Sequence, residues 1–205
     1  KEPLVKIRPF RAPHHTVSVQ ALTGGGRRPK PGEISLATGG ILFLDELPEF
    51  SRAALETLRQ PLEDREVTVS RVEATVTYPA NFQLVAAMNP CPCGHFPDLA
   101  RCRCTEGQIT RYLQKISGPL LDRIDLCVEA SPVTYGDVRG GGENEASGAI
   151  RARVEQAREI QKERFMEENI RCNGEMAGRH IRKYCVLGKE EETFMEEIFE
   201  KLALS

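Results

Sequence analysis

The sequence lacks the features of a membrane or exported protein. It contains no apolar run long enough to cross a bilayer and no signal-peptide pattern. It also lacks an excess of charge: 28 Lys and Arg side chains oppose 30 Asp and Glu side chains, so the net charge of −2 predicts no class of partner. The length of 205 residues allows one large domain, or one domain with a smaller second one.

The seven cysteines are not the even set typical of a disulfide framework. Four of them lie close together and can form a tetrahedral zinc site: Cys91, Cys93, Cys102 and Cys104. Pro92 and Gly94 would supply the tight turn, although the spacing is C-x-C rather than C-x-x-C. Reduced thiols without a metal are the alternative. Both outcomes favour a reducing compartment, and we predict a cytoplasmic protein.

The Gly-rich stretch at 24–26 is not a phosphate-binding loop, because no G-x-x-x-x-G-K-[ST] pattern occurs in the chain. Arg27, Arg28 and Lys30 follow it, and together they predict a flexible basic loop. Such a loop can contact phosphate, although a run of charges is more often solvated surface. For the adjacent His14 and His15 we expect loop or capping roles.

The most informative stretch is 41–46, Ile-Leu-Phe-Leu-Asp-Glu. Its unbroken apolar run predicts a strand buried on both faces of a parallel sheet flanked by helices, which is an α/β fold. Ligands of such sheets bind at the carboxyl ends of the strands, where Asp45 and Glu46 would lie. One carboxylate can hold a magnesium-bound water and the other can activate an attacking water. A buried strand that runs into an acidic turn is the alternative.

Two further strands are predicted for the same sheet. Residues 83–88 form a second buried strand that ends at Asn89, whose amide can contact a phosphate or a water. A turn-initiating Asn before Pro90 is the alternative. Residues 126–130 form a third strand.

A helix and a hairpin separate the first two strands. Leu55, Leu58 and Leu62 recur at helical spacing and predict a helix over 52–60 that Pro61 ends or kinks. Two alternating β-branched runs then predict a hairpin over 66–78 with Arg71 near its tip. A single arginine can touch a nucleic-acid backbone, but an ordinary surface hairpin is the simpler interpretation.

A capped helix follows the cysteines. Thr105 and Gln108 form a capping-box pattern, and Gly118 and Pro119 end the helix. Arg123 lies in a short turn after it. A rigidly held guanidinium can enter a neighbour's phosphate site, although on these residues alone an ion pair with Asp122 or Asp125 is the favoured interpretation.

The last third of the chain predicts a small all-helical region. A Gly-rich polar linker over 136–148 separates it from the first 135 residues. We predict helices over 145–168 and 189–202, the second with Phe194, Ile198, Phe199 and Leu202 facing inward.

Several long motifs resemble the magnesium-chelatase-related AAA+ ATPases, the ComM (YifB) group. They are Arg8-Pro-Phe-Arg-Ala-Pro-His-His-Thr, Pro31-Gly-Glu-Ile-Ser-Leu-Ala, Ile41-Leu-Phe-Leu-Asp-Glu-Leu-Pro-Glu-Phe, Ala87-Met-Asn-Pro-Cys-Pro-Cys-Gly and Gly118-Pro-Leu-Leu-Asp-Arg-Ile-Asp-Leu. The resemblance covers almost the whole chain. It implies an AAA+ core over 1–135 and the start of a helical lid over 149–205.

The resemblance also implies roles for individual residues. Asp45 and Glu46 match the Walker B pair, so Asp45 would serve Mg2+ and Glu46 would activate water. Asn89 matches sensor 1, and Arg123 matches the arginine finger given to an adjacent subunit. The hairpin corresponds to one that projects into the pore of ring helicases, which favours DNA contacts for Arg71 and for the loop at 27–30. The family's Walker A loop and its strand would precede Lys1, so we expect this chain alone not to hydrolyse ATP.

Three functions remain open at the level of sequence. The first is an ATP-driven ring, expected to be hexameric, that acts on DNA as a branch-migration helicase. The second is a motor subunit that drives magnesium insertion into a porphyrin. The third is a zinc-stabilised nucleic-acid-binding module without catalysis.

Overall fold

The structure is a computed structural model, and it describes residues 7–70, 74–130, 133, 135–139 and 145–202. It divides into two compact units, of which the first ends at Glu129 and the second begins at Ala130. In neither unit do the described residues form a helix long and apolar enough to cross a membrane.

The first unit mixes short strands and helices. In chain order they are β1 (Phe10–Arg11), α1 (Val19–Thr23), β2 (Gly24–Gly25), β3 (Lys30–Pro31), α2 (Glu33–Leu36), β4 (Ile41–Leu44), a 3-10 turn (Leu47–Glu49), α3 (Arg52–Glu56), α4 (Arg59–Asp64), β5 (Glu66–Ser70), β6 (Thr75–Pro79), β7 (Gln83–Ala86), α5 (Glu106–Leu113) and α6 (Gly118–Leu121).

A parallel three-stranded sheet lies at the centre of this unit, in the order β1–β4–β7. Ile41 pairs with Phe10 on one side and with Gln83 on the other. Leu42 and Leu44 are fully buried in the core, whereas Ile41 and Phe43 are half-buried and Phe43 stacks on Phe10. The predicted parallel sheet flanked by helices is therefore confirmed, although β4 is fully buried on one face only.

Helices cover the buried face of the sheet. The side chains that are fully buried there come from α1, α2, β4, α3, α6 and the α3–α4 junction: Leu22, Ile34, Leu42, Leu44, Leu55, Leu58 and Leu120. At about 1.5–3 kcal/mol for each fully buried apolar side chain, this cluster is the main stabilising contribution to the unit.

The predictions for the other two strands need correction. β7 forms as predicted but is not buried: Val85 is 37% exposed, because β7 is an edge strand in the described part of the sheet. Residues 126–130 form no strand, and Leu126 and Val128 are 84% and 90% exposed. A strand needs a hydrogen-bonding neighbour, and the described residues provide none beside this segment.

The helix predicted over 52–60 is divided into α3 and α4. The break lies at Thr57 and Leu58, and Pro61 lies inside α4 instead of ending a helix. A proline ring clashes with the carbonyl four residues earlier, which here is that of Thr57. Pro61 therefore interrupts the helix one turn before its own position.

Two antiparallel hairpins adjoin each other on this unit. The predicted hairpin is confirmed as β5 and β6, which pair from Glu66 with Pro79 to Ser70 with Thr75, while its tip at 71–73, including Arg71, lies outside the described residues. The basic loop is part of a second hairpin formed by β2 and β3, rather than a free loop. The Tyr78 hydroxyl donates to the Pro29 carbonyl at 2.9 Å and links the two.

The second unit is helical, with α7 (Tyr135–Arg139), α8 (Ser147–Arg164), a 3-10 turn (Asn173–Glu175), α9 (Gly178–Tyr184) and α10 (Lys189–Leu202). The helix α7 therefore covers residues at the start of the predicted linker. Phe165 is buried and its ring meets that of Tyr184 edge-on, with the centroids 5.4 Å apart.

The predicted inward face of α10 is wrong for three of its four residues. Phe194, Phe199 and Leu202 are 62%, 54% and 65% exposed. An amphipathic pattern shows which face of a helix can be buried, but burial needs a surface to cover that face. Among the described residues of this unit no element covers it.

Candidate functional site

The carboxyl ends of the three parallel strands meet at one edge of the sheet. Two backbone hydrogen bonds extend the β4–β7 pairing beyond the strands: Ala87 N donates to Leu44 O at 2.9 Å, and Leu47 N donates to Ala87 O at 3.0 Å. The segment after β4 therefore runs beside the segment after β7. Ligands of parallel sheets bind at this edge.

Asp45 and Glu46 lie directly after β4. The Asp45 Oδ1 atom accepts a hydrogen bond from the Glu46 N–H at 2.9 Å. Glu46 has φ 54° and ψ 47°, the left-handed conformation that side-chain-bearing residues seldom adopt and that costs on the order of 1–2 kcal/mol. Such strain is concentrated at functional sites, and here it turns the chain sharply after Asp45.

The two carboxylates border an open pocket of about 280 Å³. Its lining comes from β4 and from the segments after β1 and β4: Ala12, Pro13, His14, His15, Phe43, Asp45 and Glu46. The His15 Nδ1 atom lies 3.2 Å from Glu46 Oε2, and the His14 Nδ1 atom lies 3.0 Å from Thr16 Oγ1. Carboxylate oxygens beside an accessible pocket suit a hard cation such as Mg2+.

The two histidines, for which the sequence favoured loop or capping roles, line this pocket. They follow β1, which contains only Phe10 and Arg11 between two prolines and therefore shows no strand periodicity. The pairing of β1 with β4, which places both carboxyl ends at one edge, is visible only in the structure. Arg11 anchors this segment through a two-pronged ion pair with Glu33 of α2, with both N···O distances 2.6 Å.

Asn89 lies two residues after Ala87 and is exposed at the same edge. Burial raises the pKa of Tyr112, a buried residue of α5, and the nearby backbone of Asn89 partly opposes that rise. The predicted capping box of that helix is present: Thr105 Oγ1 accepts from Gln108 N, and Gln108 Oε1 accepts from Thr105 N. The structure thus brings Asp45, Glu46 and Asn89 to adjoining segments.

The four clustered cysteines come together directly after Asn89. Their Sγ atoms all lie within 4.8 Å of one another. Backbone N–H groups at Arg103 and His95 lower the pKa of the Cys93 thiol to about 6, whereas burial raises that of Cys104 to about 12.

Arg123 is held against its own chain. Its guanidinium donates to the Pro119 carbonyl at 2.7 Å and forms an ion pair with Glu63 of α4, so its partner is neither Asp122 nor Asp125. The hydrogen bond from Arg123, followed by its charge, lowers the pKa of the Glu63 carboxyl.

The basic residues of the β2–β3 hairpin are all exposed: Arg27, Arg28 and Lys30. Gly24 makes this hairpin possible, since it has φ 107° and a Cβ there would collide with the Lys30 carbonyl. The hairpin therefore displays three cations beside the β5–β6 hairpin.

Comparison with known proteins gives a consistent result over both units. Residues 1–138 match the family described as "Magnesium chelatase, subunit ChlI", and residues 144–205 match "Magnesium chelatase, subunit ChlI C-terminal". Competence protein ComM of Haemophilus influenzae is 49% identical over 201 residues, which is 98% of this chain and 38% of that protein.

Two further relatives, both called uncharacterized protein YifB, are similar to this chain over the same extent. The proteins of Salmonella typhimurium and Escherichia coli are 47% and 46% identical over 199 residues, which is 97% of this chain. The chain spans 38% of the length of each of these relatives.

Proposed function

Because this chain belongs to the magnesium chelatase subunit ChlI family, in its ComM- and YifB-like group, we propose that the full-length protein is a ring-forming AAA+ ATPase that acts on DNA. The observation that carries the proposal is the carboxyl edge of the sheet, where Asp45, Glu46 and Asn89 lie on adjoining segments. Parallel sheets of this class bind nucleotides at that edge.

In this proposal ATP and Mg2+ bind beside the pocket at the sheet edge. Asp45 would hold the magnesium ion, which would neutralise phosphate charge. Glu46 orients and deprotonates the attacking water, and the Asn89 side-chain amide donates to the terminal phosphate. This chain contains no G-x-x-x-x-G-K-[ST] loop, so we assign phosphate cradling to another part of the full-length protein and expect the chain alone to be inactive.

We assign Arg123 to the site of a neighbouring subunit in the ring, expected to be a hexamer. A guanidinium can stabilise charge on a transferring phosphoryl group. The Pro119 carbonyl and the Glu63 carboxylate hold the side chain of Arg123 in one conformation before assembly. Holding it in place lowers the entropy lost when the neighbour's phosphates are engaged.

DNA is the proposed substrate, and the two adjoining hairpins are the proposed contact. Arg27, Arg28 and Lys30 are exposed on one hairpin, and Arg71, which lies outside the described residues, is a further candidate contact from its place in the sequence. Cations on a ribbon neutralise backbone phosphates without reading sequence. Such contacts suit an enzyme that moves along DNA, and we propose branch migration. None of the seven cysteines forms a disulfide, which favours the cytoplasm.

Two alternatives are tied to particular observations. The family description favours a chelatase-type motor that drives magnesium insertion into a porphyrin. For this chain taken by itself, the lack of a phosphate-binding loop and the presence of a basic hairpin favour a nucleic-acid-binding module without catalysis, whereas Asp45, Glu46, Asn89 and Arg123 argue against it for the full-length protein. The DNA motor and the chelatase-type motor both hydrolyse ATP and differ in what stimulates hydrolysis, whereas the binding module hydrolyses no ATP.

The test is ATP hydrolysis by the full-length protein, with and without single-stranded and branched DNA. We expect turnover that DNA stimulates and that Glu46→Gln abolishes. Glu49→Gln is the matched control, because Glu49 is a nearby exposed carboxylate whose partner is Lys115. Turnover that is indifferent to DNA would favour the chelatase-type motor. DNA binding without turnover would favour the binding module.

A further inference from the structure

We propose that Cys91, Cys93, Cys102 and Cys104 form a structural zinc site that fixes the segment between β7 and α5. Three Sγ–Sγ distances are 3.4 Å for Cys91–Cys93, 3.8 Å for Cys91–Cys102 and 3.6 Å for Cys93–Cys102. Four sulfurs about 2.3 Å from a tetrahedral zinc ion are separated by about 3.8 Å, so the cluster has the size of a zinc tetrathiolate. These separations are far longer than a disulfide bond of about 2.05 Å.

The local chain geometry explains how two C-x-C pairs converge. After the first pair the chain reverses at Gly94, which has φ 78° and whose N–H donates to the Cys91 carbonyl at 3.0 Å. Before the second pair a turn closes with the Cys102 N–H donating to the Asp98 carbonyl at 2.7 Å. The Phe96 N–H also donates to the Cys91 sulfur at 3.4 Å. Backbone donors to sulfur are a typical outer shell of a thiolate–metal site.

The donor set favours zinc and a structural role. All four ligands are thiolates, which select zinc or iron–sulfur chemistry over hard cations such as Mg2+. A closed set of four leaves no position for substrate or water, in contrast to catalytic zinc sites. The site is thus chemically separate from the carboxylate edge at Asp45 and Glu46.

The segment needs such a crosslink because it has almost no core of its own. Cys91 is fully buried, but every residue from 92 to 101 is exposed, including Leu99 at 81%. Ordering a residue costs about 1–2 kcal/mol of backbone entropy, and this loop buries too little apolar surface to offset that cost. Metal binding supplies folding free energy in small segments of this kind.

The position of the cluster connects it to the sheet edge. Cys91 follows Asn89 by two residues, and Cys104 directly precedes Thr105, the N-cap of α5. The crosslinked loop therefore joins the residue after β7 that we propose as a phosphate contact to the start of α5. We assign the metal the positioning of Asn89. This last step rests on the proposed function, whereas the metal site itself does not.

The experiment is metal analysis of the full-length protein purified without chelators. We expect about one zinc per chain. Cys93→Ser and Cys102→Ser should each lose the zinc, whereas Cys127→Ser and Cys185→Ser, which change exposed cysteines outside the cluster, should keep it. Protein without metal, or cluster variants that retain full zinc content, would overturn the site. Iron in place of zinc would overturn the identity of the metal.

A second measurement uses wild-type protein, so its result does not depend on whether a cysteine variant folds. Wild-type protein refolded with Co2+ should show the intense visible absorption of a tetrahedral cobalt thiolate, and zinc should displace it. A weak spectrum typical of octahedral oxygen ligation would contradict the tetrathiolate. If zinc is present but the protein hydrolyses no ATP, the metal site stands and the proposed function fails, so the two are distinguishable.

Discussion

The Nδ1 atom of His15 lies 3.2 Å from the Oε2 atom of Glu46 and joins the segment after β1 to the segment after β4. His15 is itself held between the ring of His14, 4.0 Å away, and the edge of Phe50, 6.4 Å away between centroids. Glu46 has a left-handed backbone conformation, which fixes the direction of its side chain relative to the end of β4. The orientation of the proposed water-activating carboxylate therefore depends on a neighbouring strand.

We predict that Glu46→Gln retains ATP binding and loses hydrolysis. The amide keeps the shape of the side chain but cannot take a proton from water, so turnover should fall at least about a hundredfold. The measurements are the ATP dissociation constant and kcat of the full-length protein. Near-normal turnover would remove Glu46 from this role.

We predict that His15→Ala lowers kcat about tenfold and leaves the affinity for ATP nearly unchanged. The reason is that Glu46 would lose its nearest restraint, and small errors in position are costly in catalysis. His15→Gln retains a side-chain N–H donor and should recover part of the rate. The His14 ring hydrogen-bonds Thr16 and not Glu46, so His14→Ala should lower kcat less than His15→Ala does. Equal losses in the two alanine variants would contradict a specific role for His15.

We predict that Arg123→Ala abolishes hydrolysis by acting on the neighbouring subunit. Mixed rings of Arg123→Ala and Glu46→Gln subunits should recover activity, because some interfaces then combine an intact Arg123 with an intact Glu46. The measurement is the ATPase rate across mixing ratios. A mixture no more active than its components would count against action between subunits.

The Arg123–Glu63 ion pair supplies the control for that prediction. If Arg123 serves only to stabilise its own chain, Glu63→Ala should damage hydrolysis as severely as Arg123→Ala, since both break the same pair. If Arg123 acts on the neighbour, Glu63→Ala should retain most of the activity. Thermal unfolding of both variants shows how far each loss is structural.

Local signals were sufficient to predict much of this fold. The apolar run at Ile41, the capping box at Thr105 and the β-branched alternation after Glu66 each describe an interaction within a few residues. Those elements form as predicted. The carboxylates at the end of β4 were also predictable, because strand polarity alone places them at the ligand-binding edge.

The predictions that were wrong depend on contacts with distant parts of the chain, which the local sequence does not reveal. Burial of β7 and of α10 depends on what covers them, and the segment at Leu126 needs a neighbouring strand to become one. The contact of His15 with Glu46 depends on β1, which is too short to show a strand period. The partner of Arg123 is sixty positions away in the chain, so its neighbours Asp122 and Asp125 were misleading.

We predict that a triple variant, in which Ala replaces Arg27, Arg28 and Lys30, binds DNA more weakly whatever the sequence of the DNA. The slope of log affinity against log salt should fall by about one for each phosphate that the variant no longer neutralises. Removing three exposed arginines elsewhere, Arg52, Arg111 and Arg151, is the matched control for net charge. Equal effects of the two triple variants would indicate general electrostatics and contradict DNA binding at the hairpin.

Glu168 gives the second unit a stability that depends on pH. Its Oε1 atom accepts from Lys183 Nζ at 2.7 Å and from the Tyr184 hydroxyl at 3.1 Å, and His180 Nε2 lies 3.6 Å from Oε2. The hydrogen bond from Lys183, followed by that from Tyr184, lowers the pKa of the Glu168 carboxyl. The same pairing raises the pKa of Lys183, which stays charged throughout the acidic range.

A carboxyl group with a lowered pKa stabilises the folded state above its unfolded pKa of about 4.3, and this contribution is lost as the pH falls through the folded pKa. We therefore predict that Glu168→Gln lowers the unfolding temperature at pH 7 and that its difference from wild type narrows towards pH 3. Glu167→Gln, which changes the exposed neighbour, should show little difference at either pH. The measurement is thermal unfolding followed by circular dichroism. A Glu168→Gln deficit that stays constant from pH 7 to pH 3 would assign the effect to packing instead of charge.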